Sequence, residues 1–141
     1  MEANGTREVL CPSARPEMPG SMVFGVVAGT ADEPRVAWLE RPVPVTDELL
    51  AMTRPVPATQ VLRFAAPCAE GACCHFNGRD CTLAQRLVQL MPAVDTSLPP
   101  CQVRRDCRWF TQEGKAACLR CPQVVTYSAN PTPELSMAAF P

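Results

Sequence analysis

Residues 22–40 read MVFGVVAGTADEPRVAWLE. Residues 22–28 read as a strand, residues 29–34 as a turn carrying Asp32 and Pro34, and residues 35–40 as the hairpin partner. Pro42 and Pro44 exclude a central strand beyond that point, because proline cannot donate to a sheet ladder. Further on, residues 46–52 read as a short helix. Thr46 can cap it, Asp47 and Glu48 sit in the first turn where the helix dipole favours them, and Pro55 and Pro57 end it. Residues 60–66 read as another strand, which delivers the chain to Cys68. The expectation for residues 21–67 is therefore a strand-strand-helix-strand scaffold. Residues 1–20, with Pro12, Pro16 and Pro19 and no apolar period, read as a disordered tail.

The second half reads differently. Asp80 or Thr82 can cap a helix over residues 82–91, with Leu83, Leu87, Val88 and Leu90 on one face and Pro92 closing it. A second short helix over 104–113 can stop at Gly114. Residues 128–141 read as a flexible tail. The expected class is α+β: the small N-terminal unit, then a loop-rich, metal-stapled cysteine region over 68–127 with one or two short helices.

The chain has 141 residues and a net charge of −1, which bounds it to one ordinary domain or a small domain with tails. That charge balance argues against nucleic acid or an anionic membrane as partner. The longest uncharged, mostly apolar run covers residues 21–31, well short of the roughly 20 residues a bilayer-spanning helix needs. No secretory pattern marks the first residues, so a cytoplasmic location is expected.

Nine cysteines dominate the chemistry. Only Cys11 precedes residue 68, and its place in the tail reads as a free thiol. Cys68, Cys73, Cys74, Cys81, Cys101, Cys107, Cys118 and Cys121 follow in close succession. Such density means a disulfide scaffold or a metal site, and a reducing compartment favours metal. Cys118-Leu119-Arg120-Cys121-Pro122 is the sharpest motif, since two intervening residues let both sulfurs face one metal. The same spacing serves iron–sulfur clusters, zinc knuckles and redox dithiols. A structural zinc ribbon usually needs two such knuckles, and the remaining gaps are irregular, which suits a cluster better than a tight tetrahedron. A [4Fe–4S] core on four thiolates is negatively charged. The segment from Leu98 to Cys121 holds Arg104, Arg105, Arg108, Lys115 and Arg120 against Asp106 and Glu113, a net +3. Arg104, Arg105 and Arg108 are thus candidate cluster-supporting residues, or else a basic face for a protein partner. Trp109 and Phe110 read as core packing that could also shield a cluster. His75, the only histidine, reads as a loop residue and secondarily as a ligand. No serine-centred triad independent of His75, nucleophile elbow or phosphate loop occurs.

Taken together, Gly71-x-Cys73-Cys74-His75-Phe76, Cys81, Pro100-Cys101, Cys107-Arg108-Trp109 and Cys118-x-x-Cys121-Pro122 resemble small bacterial cysteine-rich proteins that bind zinc or iron. The resemblance implies a metal site.

The expected function is that of an iron–sulfur protein, with one [4Fe–4S] cluster, acting in electron transfer, redox sensing or as accessory to a redox or biosynthetic partner enzyme. The favoured ligands are Cys101, Cys107, Cys118 and Cys121. Cys68, Cys74 and Cys81 form a second site or complete the first. A zinc-stabilised interaction module is the alternative. Asn77-Gly78 is the strongest hairpin-turn signal; a two-residue loop there sets Cys74 opposite Cys81 and turns Cys73 to the other face.

Overall fold

The structure, a computed structural model, describes residues 9–29, 34–70, 73 and 75–124. It is α+β: one four-stranded antiparallel sheet with short helices on both faces. The strands are β1 (Leu10–Ala14), β2 (Met22–Gly29), β3 (Pro34–Pro44) and β4 (Leu62–Pro67), in the order β1-β4-β2-β3. The expected hairpin is β2 with β3. Residues 10–14, expected in a disordered tail, instead form β1 on the free side of β4. Leu10 and Ala14 bring apolar surface to it, and Pro12 is tolerated because β1 is an edge strand. Pro42 and Pro44 lie in β3, at the opposite edge, for the same reason. The ladder slips between Val23 and Gly25, so β3 bulges over residues 39–42 opposite Phe24. The remaining residues of the turn at 29–34 lie outside the described residues, as does the C-terminal tail.

One sheet face, built on Ala14, Val23, Leu62, Phe64 and Ala66, packs against α1 (Asp47–Ala51) and α2 (Ala58–Val61) through Leu49, Leu50, Ala58 and Val61. Thr46 caps α1 as expected, its Oγ1 accepting from the Leu49 amide at 3.1 Å. Strand alternation sends Arg63 and Ala65 to the other face. There Phe24, Ala65 and Val103 form a second core beneath Trp38 and Cys101.

The cysteine-rich half covers that second face. It contains α3 (Thr82–Leu90), α4 (Arg108–Glu113) and α5 (Lys115–Cys118), with 3-10 turns at Arg104–Asp106 and Cys121–Gln123. The helix expected over 104–113 is therefore split at Cys107, which caps α4. Gly114, at φ 71°, separates α4 from α5; an L side chain rarely adopts that backbone. Leu83, Ala84, Leu87, Trp109, Ala117 and Val124 make a third core. Leu90, expected on the same face as Leu87, is instead 37% exposed, because α3 ends there and Pro92 turns the chain away.

Leu87 is fully buried where α3 meets α4 and α5. Leu87→Ala is expected to cost about 2–5 kcal/mol in urea denaturation. Leu90→Ala should stay within about 0.5 kcal/mol. Equal effects would contradict this packing.

Candidate metal centre

Cys101, Cys107, Cys118 and Cys121 line one cavity with Pro12, Phe24, Trp38, Pro99, Arg104, Trp109 and Ala117. The cavity is small, about 20 Å³, and opens partly to solvent. It lies between the second sheet face and the cysteine-rich layer. Each cysteine arrives by a different route. Cys101 ends the extended segment after Pro99-Pro100, Cys107 caps α4, Cys118 ends α5 and Cys121 opens the last 3-10 turn. These are the four ligands favoured by the sequence.

The sulfurs are held by hydrogen bonds. The Val103 amide donates to Cys101, and the Trp109 and Phe110 amides donate to Cys107. The Arg104 guanidinium sits beside the Cys118 sulfur. Arg63 reaches from the middle of β4. Its Nη2 donates to Cys121 Sγ at 3.1 Å and to the Pro12 carbonyl at 2.8 Å, and its Nη1 donates to the Cys121 carbonyl at 2.8 Å. The guanidinium also lies 5.4 Å from the centre of the Phe24 ring. Arg63 is 1% exposed, and among the described residues no carboxylate pairs with it. A buried cation is expensive unless a negative charge or strong acceptors compensate it. Two carbonyls and one sulfur are the acceptors present. Arg104 Nε and Nη2 and Trp109 Nε1 are also shielded from solvent, with no hydrogen-bond partner among the described residues. The donor set around the cavity is thus in excess, and it fits an anionic, sulfur-ligated group.

Among the described residues, no three His, Cys, Asp or Glu side chains are drawn around a single ion-sized point. The four sulfurs instead border a cavity. All eight described cysteines are free thiols.

Other expectations need correction. The loop at Asn77 holds four residues rather than two. Asn77 Oδ1 accepts from the Arg79 and Asp80 amides, the Asn77 amide donates to the Asp80 carbonyl, and Phe76 faces Cys81. The Asn side chain closes the turn itself, which shifts the register by two residues. Cys74 lies outside the described residues. Cys68 and Cys81 are away from the cavity, and so is Cys11, which is a strand residue with its thiol largely enclosed. Of the three arginines proposed from the sequence, only Arg104 lines the cavity. Arg105 is exposed, and Arg108 turns to Glu70, its Nη2 2.6 Å from Oε2. His75 accepts at Nδ1 from Arg86 Nη2 at 3.0 Å; burial first, then the Arg86 charge, lowers its pKa and keeps it neutral. Arg63 was missed, although a lone arginine inside the apolar run Leu62-Arg63-Phe64-Ala65-Ala66 is a visible signal.

No family model matches the chain, and comparisons with curated proteins and with solved structures returned no match.

Burial pushes the thiol of Cys107 up to about 12, that of Cys11 to about 12 and that of Cys101 to about 11, from an ordinary 9.0. Between these values the unfolded chain releases protons that the folded chain keeps. Stability of the reduced, metal-free protein is therefore intact below pH 9 and falls as pH rises toward 11–12. The slope is up to about 1.4 kcal/mol per pH unit for each such thiol. Urea denaturation of reduced, chelator-treated protein at pH 8, 9 and 10 checks this. A flat profile to pH 10 would contradict the burial of these sulfurs.

Proposed function

We propose that this chain is an iron–sulfur protein that holds a [4Fe–4S] cluster on Cys101, Cys107, Cys118 and Cys121 and exchanges single electrons with a protein partner in the cytoplasm. The observation that carries the reading is the buried guanidinium of Arg63, which pairs with no carboxylate among the described residues and donates to Cys121 Sγ at a cavity bordered by four cysteines. When bound, a cluster supplies one-electron redox chemistry at a potential set by charge, hydrogen bonds to sulfur and solvent access. Each of those levers has a residue here. Arg63 and Arg104 bring positive charge to the sulfurs of Cys121 and Cys118. The amides of Val103, Trp109 and Phe110 donate to Cys101 and Cys107. Phe24, Trp38 and Trp109 form the apolar wall, with Phe24 and Trp38 ring centres 6.0 Å apart. Exposed Arg105 remains available as a contact for an acidic partner surface.

Anaerobic purification tests the reading. The expected product is brown, with iron and acid-labile sulfide in equal amounts. A colourless protein with stoichiometric zinc and no sulfide would overturn it in favour of a structural zinc module. Among variants, Arg104→Gln and Arg63→Gln are expected to lower the midpoint potential, since the more reduced state carries more negative charge. The expected scale is on the order of 59 mV, the one-electron equivalent of a tenfold shift. Arg105→Gln should leave it unchanged. Potentiometric titration reads all three, and a shift confined to Arg105→Gln would contradict the site.

A further inference from the structure

The four described cysteines outside the cavity are also gathered. The backbone does this in three steps. The Cys68 amide donates to the Val9 carbonyl at 2.8 Å, which extends the β1–β4 ladder and sets Cys68 beside the start of β1, where Cys11 lies. The Phe76 amide donates to the Cys73 carbonyl at 3.1 Å, and Phe76 bridges to Cys81 at the head of α3. Gln112 of α4 then clamps Cys81, its Oε1 accepting from the Cys81 amide at 2.8 Å and its Nε2 donating to the Cys81 carbonyl at 2.9 Å. Arg108 joins the two pairs: its Nη2 lies 2.6 Å from Oε2 of Glu70, two residues past Cys68, and its guanidinium stands over the ring of Phe76, which bonds to Cys73 and bridges to Cys81.

The support of the sulfurs repeats that of the first cavity. The Ser13 amide donates to Cys11, the His75 amide to Cys73 at 3.4 Å, and the Leu83 and Ala84 amides to Cys81. These are the same i+2 and i+3 donors that serve Cys101 and Cys107. An arginine completes the set: the Arg108 guanidinium, beside Glu70, donates to the Cys68 sulfur and lies 5.4 Å from the centre of the Phe76 ring. The cap and the first residue of α4 thus face two ways, Cys107 to the first set and Arg108 to the second.

We propose that Cys11, Cys68, Cys73 and Cys81 form a second four-thiolate centre that holds a second iron–sulfur cluster. The identity of the bound group rests on the iron–sulfur reading of the first site; the grouping of these cysteines does not. Four thiolates suffice for a [4Fe–4S] cluster, so the eight described cysteines divide into two complete ligand sets.

The experiment uses the full chain, reconstituted anaerobically with ferrous iron and sulfide, and measures iron, labile sulfide and the EPR spectrum after reduction. The wild type is expected to hold about eight iron atoms. Cys11→Ser and Cys73→Ser should each hold about four, with the first cluster's signal intact, which also shows that the variants fold. Cys107→Ser should lose the complementary half. Full iron content in Cys11→Ser overturns the proposal, as does loss of iron in Cys74→Ser with none in Cys73→Ser. A wild type with about four iron atoms, all lost in Cys107→Ser, removes the second centre and leaves the first standing. A wild type that takes up no iron removes the reading of both.

Discussion

The guanidinium of Arg63 is the point on which the two halves of the molecule meet. It rises from β4, a central strand, crosses from the sheet to the cysteine-rich layer, and ends on the carbonyl and sulfur of Cys121. It also bonds the Pro12 carbonyl of β1. Three segments far apart in sequence are thereby fixed by one side chain. The cost is a positive charge in the interior, and neutral acceptors offset it only in part. Under the proposed reading, the cysteines give up their protons on binding metal, and the negative charge left on the sulfurs would offset the arginine placed among Leu62, Phe64, Ala65 and Ala66.

The architecture follows from this constraint. The sheet has one face with an apolar core, which α1 and α2 close, and one face whose core is interrupted by Arg63. The short helices α3, α4 and α5 cannot be stable alone, since isolated helices of this length are marginal in water. Their order comes from the core around Leu87, Trp109 and Ala117 and from clamps such as Arg120, whose Nε and Nη1 bond the carbonyls of Met91 and Ala116 at 2.7 and 2.8 Å. Under the proposed reading, a thiolate-bound group would add folding free energy to this layer of loops and short helices.

Much of this was legible in the sequence. The β2–β3 hairpin, the Thr46 cap, the α3 segment and the stop at Gly114 all follow from local patterns. Those patterns act over a few residues, so local reading suffices. Pro12, Pro16 and Pro19 made the first segment look unstructured. β1 forms anyway because its partner, β4, lies some fifty residues away, beyond any local signal. The turn at Asn77 failed for a finer reason: the side chain of Asn77 took the amides that a tight two-residue turn would have left to the backbone. The favoured cysteines did come together, because Cys118-x-x-Cys121 and the cap at Cys107 are local devices on adjoining elements. Cys68 and Cys81 were already grouped from the sequence, but the place of Cys11 beside Cys68 depended on β1 and could not be read without it. Arg108 stands next to Cys107 in sequence, yet it turns to Glu70 instead of the cavity, because Cys107 is extended and α4 begins only at Arg108.

The most direct test is the crystal structure of anaerobically purified protein, with anomalous maps recorded on either side of the iron absorption edge. The account predicts iron density inside the cavity bordered by Cys101, Cys107, Cys118 and Cys121, with the Arg63 guanidinium against the Cys121 sulfur. Disulfides among these four cysteines, or a single zinc peak bound by any of them, would contradict it.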